Sequence, residues 1–152
     1  MAQRSRLSTG LSGISGEYFV AAELSRRGYV ASLTLRNTRG IDILASNTDA
    51  TKSVGIQVKA IQGRGKDWML NQKVESDIAT NLFFVFVRLN ELDAPDYYIV
   101  PRVEVANFAR DNHQRWLQTL GRKGQQHQDT PMRKFADPEN KYLGKWELLG
   151  LD

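Results

Sequence analysis

Apolar positions along this chain of 152 residues fall into distinct periods. Ile14, Ala21 and Leu24 recur at helical spacing, which predicts a first helix from Ser12 or Ser15 to Gly28. Serine is a good N-cap, Arg26 and Arg27 suit the negative end of the helix dipole, and Gly28 suits the position after the cap. Residues 29–35 are rich in β-formers, and a polar turn at 36–39 leads to a second strand at 41–45. After a turn at 46–52, a third strand at 53–60 sets Val54, Ile56, Val58 and Ala60 on one face and Gly55, Gln57 and Lys59 on the other. A short strand is expected at 68–70. The unbroken apolar run at 82–87 predicts a buried central strand. Another strand at 97–100 stops at Pro101. A helix follows over 102–120, with Val103, Ala106, Phe108, Ala109, Trp116, Leu117 and Leu120 as core contacts and His113 exposed. Residues 121–138 read as loop, and 142–149 as a short terminal element packing through Trp146, Leu148 and Leu149. This order predicts an α/β fold with a mixed sheet. There is no internal repeat or linker, so residues 1–152 form one domain, with 1–10 as a flexible arm.

Three polar interruptions of this pattern carry candidate chemistry. Glu17 has Ile14, Ala21 and Leu24 as helix neighbours, which sets a carboxylate along the buried stripe, where it needs a metal, a cation or a donor. A first-turn carboxylate facing the helix dipole is the alternative. Asp42 interrupts an apolar strand between Ile41 and Ile43, where Asp is disfavoured. Gln57 and Lys59 share one strand face about 6.6 Å apart. Alone they read first as the solvent face of an antiparallel strand. Taken together, the three suit phosphodiester chemistry with magnesium, a hard ion that takes oxygen ligands. Asp42, the side-chain carbonyl of Gln57 and the main-chain carbonyl of Val58 are candidate ligands, with Glu17 binding directly or through water. Lys59 would position a water or balance charge on the phosphate.

Composition narrows the partners. With no cysteine, disulfides and thiolate zinc sites are excluded. The longest apolar run falls far short of the roughly 20 residues that cross a bilayer, and residues 1–6 do not read as a secretory signal, so a cytoplasmic protein without a membrane partner is expected. The formal net charge is +4. Residues 1–40 carry six Arg against Glu17 and Glu23, whereas 76–109 carry two Arg against five acidic residues. The basic excess sits beside the candidate site and favours a polyanionic partner. Arg36, Arg39, Arg64 and Lys66 fall in loops next to the motif strands and are candidate phosphate contacts, or alternatively a solvated basic surface.

The helix Glu17, the strand 40–44 (Gly-Ile-Asp-Ile-Leu) and the strand 56–59 (Ile-Gln-Val-Lys) resemble the PD-(D/E)XK nuclease superfamily, and the Gln-x-Lys form resembles its Mrr-like branch. Glu17, Asp42 and Lys59 match that pattern directly; Gln57 departs from it by replacing a carboxylate. The resemblance implies a restriction-endonuclease-like fold, a central mixed β-sheet flanked by helices. It also implies Mg2+ (or Mn2+) at Glu17, Asp42 and the third motif, DNA in a cleft, and often a homodimer, with a separate targeting subunit open. The expected activity is metal-dependent DNA endonuclease cleavage of restriction, repair or defence type. The alternatives are a nuclease-fold DNA-binding module and a Holliday-junction resolvase-like enzyme.

Overall fold

The computed structural model describes residues 5–35, 40–76 and 78–152. Helix α1 (Thr9–Arg26) is followed by strands β1 (Val30–Leu33), β2 (Ile43–Ser46), β3 (Ser53–Ile61) and β4 (Asp67–Asn71). After a 3-10 turn at Gln72–Ser76 come β5 (Leu82–Arg88), β6 (Asp96–Pro101), helix α2 (Arg102–Gln118), β7 (Met132–Ala136) and a terminal 3-10 turn at Trp146–Leu149. The fold is therefore α/β around a mixed sheet. Five strands lie in the order β1-β2-β3-β5-β6, antiparallel except for the parallel pair β3–β5. The ribbon β4–β7 forms a second, two-stranded sheet.

Each face of the main sheet has its own core, set by the period-2 alternation of β3 and β5. Ile56, Val58, Val85 and Val87 meet Val20 and Leu24 of α1 together with Trp146 and Leu149. On the opposite face Phe84, Phe86, Tyr98 and Val100 meet Val105 and Ala109 of α2 and Trp68, Leu70 and Phe135 of the ribbon. Helix α1 begins earlier than the sequence predicts, because Ser8 caps it through a bond from the Leu11 amide. Gly28 takes the left-handed conformation (φ +93°) expected after the cap.

Three local expectations need correction. Strand β7 arises inside the segment read as loop, because its partner β4 lies about sixty residues upstream and no local pattern announces that pairing. His113 is buried rather than exposed and bonds Asp129 (2.7 Å), and this bond holds the Asp129 carboxyl below its usual range. Trp116 is partly exposed and stacks on His127 (4.1 Å) instead of entering the core, and Val103, Leu120 and Leu148 are exposed as well.

Gly16 sets how closely α1 approaches the sheet. A Cβ there would lie 2.7 Å from the Ala60 Cβ and 3.3 Å from Val58 Cγ1. Gly16→Ala is expected to cost about 1–3 kcal/mol through overpacking, outweighing the roughly 1 kcal/mol helix-propensity gain. Thermal denaturation checks this, and a variant with raised Tm would mean that the contact yields without loss.

Candidate active site

Strand β2 stops before β3 does, and the site lies where they part. The register ends at Ile43↔Ile56, while the Asp42 amide also donates to the Ile56 carbonyl (2.8 Å). Two consecutive residues thus share one partner, as in a β-bulge, an irregularity that re-aims a side chain. Asp42 is accordingly not inside a strand, as the sequence suggested; it precedes β2. Its Oδ2 accepts a hydrogen bond from the Val58 amide (2.7 Å), so the carboxylate continues the β3 ladder where β2 no longer does. A strand residue presents its amide and carbonyl to the same edge, so the Val58 carbonyl also faces this opening.

Gln57 and Lys59 flank Val58 and project on the α2 side of the sheet, as the alternation predicted; both are half-buried. Their register partners on β5 are Phe84 and Phe86. With Gly40, Leu70, Asn71, Lys73, Val74, Phe84 and Arg102 they line a cavity of about 400 Å³. The same end of β3 meets α1 from the other side, at Gly16. Glu17 therefore stands on the helix covering the opposite face, half-buried, at the level of Val58 and Ala60. Asp42 meets the open edge of β3 at Val58, and Gln57 and Lys59 flank that residue along the strand, whereas Glu17 stands on α1 over the other face.

Arg102 is the site residue that sequence reading missed. It is the first residue of α2 and is only 2% exposed. Its Nη2 donates to the Gly40 carbonyl (2.5 Å) and to Gln57 Oε1 (2.9 Å), and the guanidinium lies 4.4 Å from the centroid of the Phe84 ring. A guanidinium has only donors, which fixes the Gln57 amide with its oxygen toward Arg102. A buried cation on that oxygen opposes a divalent ion there. Asn71 and Lys73 were also missed, because they lie at the end of β4 in the second sheet and in the 3-10 turn that follows it. The nearest sequence signal was the position of Arg102 directly after Pro101 at a strand-to-helix junction.

Other expected contacts are spread more widely. Arg36 and Arg39 lie outside the described residues. Arg64 pairs with Asp93 in the exposed turn after β3, and neither it nor Lys66 lines the cavity. Among the described residues, no three His, Cys, Asp or Glu side chains form a cluster that could hold a metal ion. The oxygen donors at the open edge are the second carboxylate oxygen of Asp42 and the Val58 carbonyl. These hard oxygens suit a magnesium ion that keeps most of its ligands as water and substrate phosphate.

Among the described residues, no helix is long and apolar enough to cross a membrane. No family model and no curated relative matches the chain. Among solved structures, the chain is similar to Hjc, a Holliday junction resolvase from the archaeal hyperthermophile Archaeoglobus fulgidus, with a TM-score of 0.45, 12% identity, and coverage of 78% of this chain and 85% of that one.

Proposed function

We propose that this protein is a metal-dependent DNA endonuclease of the restriction-endonuclease-like type, with Asp42 and Lys59 at its centre. The observation that carries the reading is the Asp42 carboxylate bonded to the Val58 amide at the point where β2 leaves β3, with Lys59 next along the same strand. A bound Mg2+ would polarise a phosphoryl oxygen and acidify a water. The carboxylate of Asp42 and the Val58 carbonyl would hold that ion, with Glu17 completing the set from α1. Lys59 balances the charge that grows on the phosphoryl oxygens, an arrangement useful only if the donor is in place beforehand. Half-burial on a strand between Val58 and Ala60 holds it there.

The test is cleavage of supercoiled plasmid, linear duplex and a four-way junction with Mg2+ and then Mn2+, together with the protein's mass in solution. Nicking of plasmid supports a general endonuclease. Cleavage confined to the junction by a dimer would replace that with a resolvase. No cleavage of any substrate would sink both.

The bond from Arg102 to Gln57 favours a second reading, a nuclease fold that binds DNA with little catalysis. Gln57→Glu separates the two. The new carboxylate can keep Arg102 on one oxygen and offer the other to the open edge. The Mg2+ concentration for half-maximal cleavage is expected to fall about tenfold, which corresponds to about 1.4 kcal/mol. An unchanged requirement would show that residue 57 serves Arg102 alone.

A further inference from the structure

We infer that Lys73, with Asn71, forms a subsite for one phosphate group of a nucleic acid, separate from the reacting phosphate that Lys59 faces. The inference rests on the nucleic-acid reading of the same cleft. Three basic side chains, Lys59, Lys73 and Arg102, line one cavity, and no acidic residue lines it among the described residues. Lys59 and Lys73 make no ion pair with a described residue, and the carboxylate nearest Lys73 along the turn, Glu75, is held by Arg133 (2.6 Å). The ammonium groups of Lys59 and Lys73, facing one partly enclosed space, repel each other, and an anion relieves that cost. The three bring different strengths: Arg102 is buried and anchored, Lys59 is half-buried on β3, and Lys73 is exposed and arrives from the ribbon.

The backbone beneath Lys73 is built to hold it. Asn71 Oδ1 accepts the Lys73 amide (3.1 Å), and the Gln72 amide donates to the Pro131 carbonyl (2.8 Å). Val74 is buried in the core beneath α2. Those bonds leave the Asn71 amide hydrogens as further donors beside the ammonium. A phosphate, with several acceptor oxygens and a negative charge at neutral pH, matches an ammonium group beside a neutral amide. Because β4 and β3 belong to different sheets, a strand engaging Lys59 and Lys73 together crosses the gap between them. That sets the direction of the nucleic acid through the cleft.

The test measures binding without turnover. Fluorescence anisotropy of a labelled duplex is followed in EDTA as salt is raised from 50 to 200 mM, for wild type, Lys73→Gln and the remote control Lys123→Gln. Loss of one phosphate contact is expected to lower the slope of log K against log salt by roughly 0.9, about a 3- to 4-fold difference in affinity across that range. The control is expected to keep the wild-type slope, and both variants the wild-type Tm. A second arm compares 5′-phosphorylated with 5′-hydroxyl oligonucleotides. A Lys73-dependent gain from the added phosphate assigns the subsite to a strand end; equal binding of the two assigns it to an internal phosphodiester. Superimposable slopes for wild type and Lys73→Gln overturn the subsite, even if cleavage is observed. Lys73-dependent binding without cleavage of any substrate keeps the subsite and removes the nuclease reading instead.

Discussion

Asp42→Asn is expected to lower DNA cleavage by about 10²-fold or more, and Lys59→Met by about 10²–10³-fold, the usual loss when one preorganised group facing developing charge is removed. The choice of substitution matters. Asp42 also holds the Val58 amide, so Asp42→Ala leaves that donor without its acceptor at a cost of about 1–3 kcal/mol. Its inactivity would be ambiguous between chemistry and local unfolding. Asparagine keeps a carbonyl oxygen for Val58 and removes only the negative charge. Lys59→Met keeps the aliphatic stem against the sheet and removes only the ammonium. If both residues act in one transition state, the double variant loses little more than the worse single variant. Single-turnover plasmid cleavage by wild type, both variants and the pair checks this. Multiplicative losses would place the two residues in separate roles, and activity retained by both variants would remove the site altogether. Wild-type Tm in both variants is the necessary companion result.

What the sequence made visible here was mostly local. The Gln57–Lys59 face and the Val54–Val58 face follow from strand period alone, and they sort correctly onto the two sides of the sheet. The continuous apolarity of 82–87 marked β5 because that strand is buried on both faces. Gly28 marked the end of α1 because its φ of +93° is one that other residues avoid. Features that depend on distant partners were hidden. Arg102 would be placed on the surface by its type, yet a carbonyl, a Gln oxygen and an aromatic ring from three separate segments stabilise it in the interior. His113 and Trp116 exchanged their expected roles because Asp129 and His127, from a loop with no regular pattern, supply the polar and the stacking partner. Asp42 was recognised as unusual for a strand, and the resolution is that it stands just outside one. The bulge at its amide, and not the alternation of β2, directs its carboxylate. The face of the cavity formed by Asn71 and Lys73 could not be read before β4 was known to pair with β7.

That pairing makes the ribbon a structural element of the site, and Trp68→Ala is expected to show it with the largest stability loss of any single change considered. Trp68 is 2% exposed, donates its indole N–H to the Val87 carbonyl (3.1 Å), and packs 5.3 Å from Phe86 and 5.2 Å from Tyr98 between ring centroids. Its register partner on β7 is Phe135, which stacks on Phe86 at 4.4 Å. The residue thus joins the two-stranded ribbon to the main sheet by packing and by a backbone hydrogen bond. Truncation of a buried aromatic of this size costs about 3–5 kcal/mol. For a chain of this length each kcal/mol moves Tm by about 2–4 °C, so a fall of roughly 6–20 °C is expected by calorimetry. Trp68→Phe keeps most of the ring contact and loses the indole donor, leaving the Val87 carbonyl to be satisfied otherwise; its cost is expected near 1–3 kcal/mol. The two variants also report on function. Because β4 ends at Asn71 and leads into Lys73, loosening the ribbon weakens the basic wall of the cavity while Lys59 stays on the main sheet and Asp42 stays bonded to its edge. Trp68→Phe, assayed well below its Tm, is therefore expected to raise the DNA concentration needed for half-maximal cleavage more than it lowers the maximal rate. An equal loss in both would mean that the ribbon supports the catalytic edge itself, and no loss in either would separate the ribbon from the site.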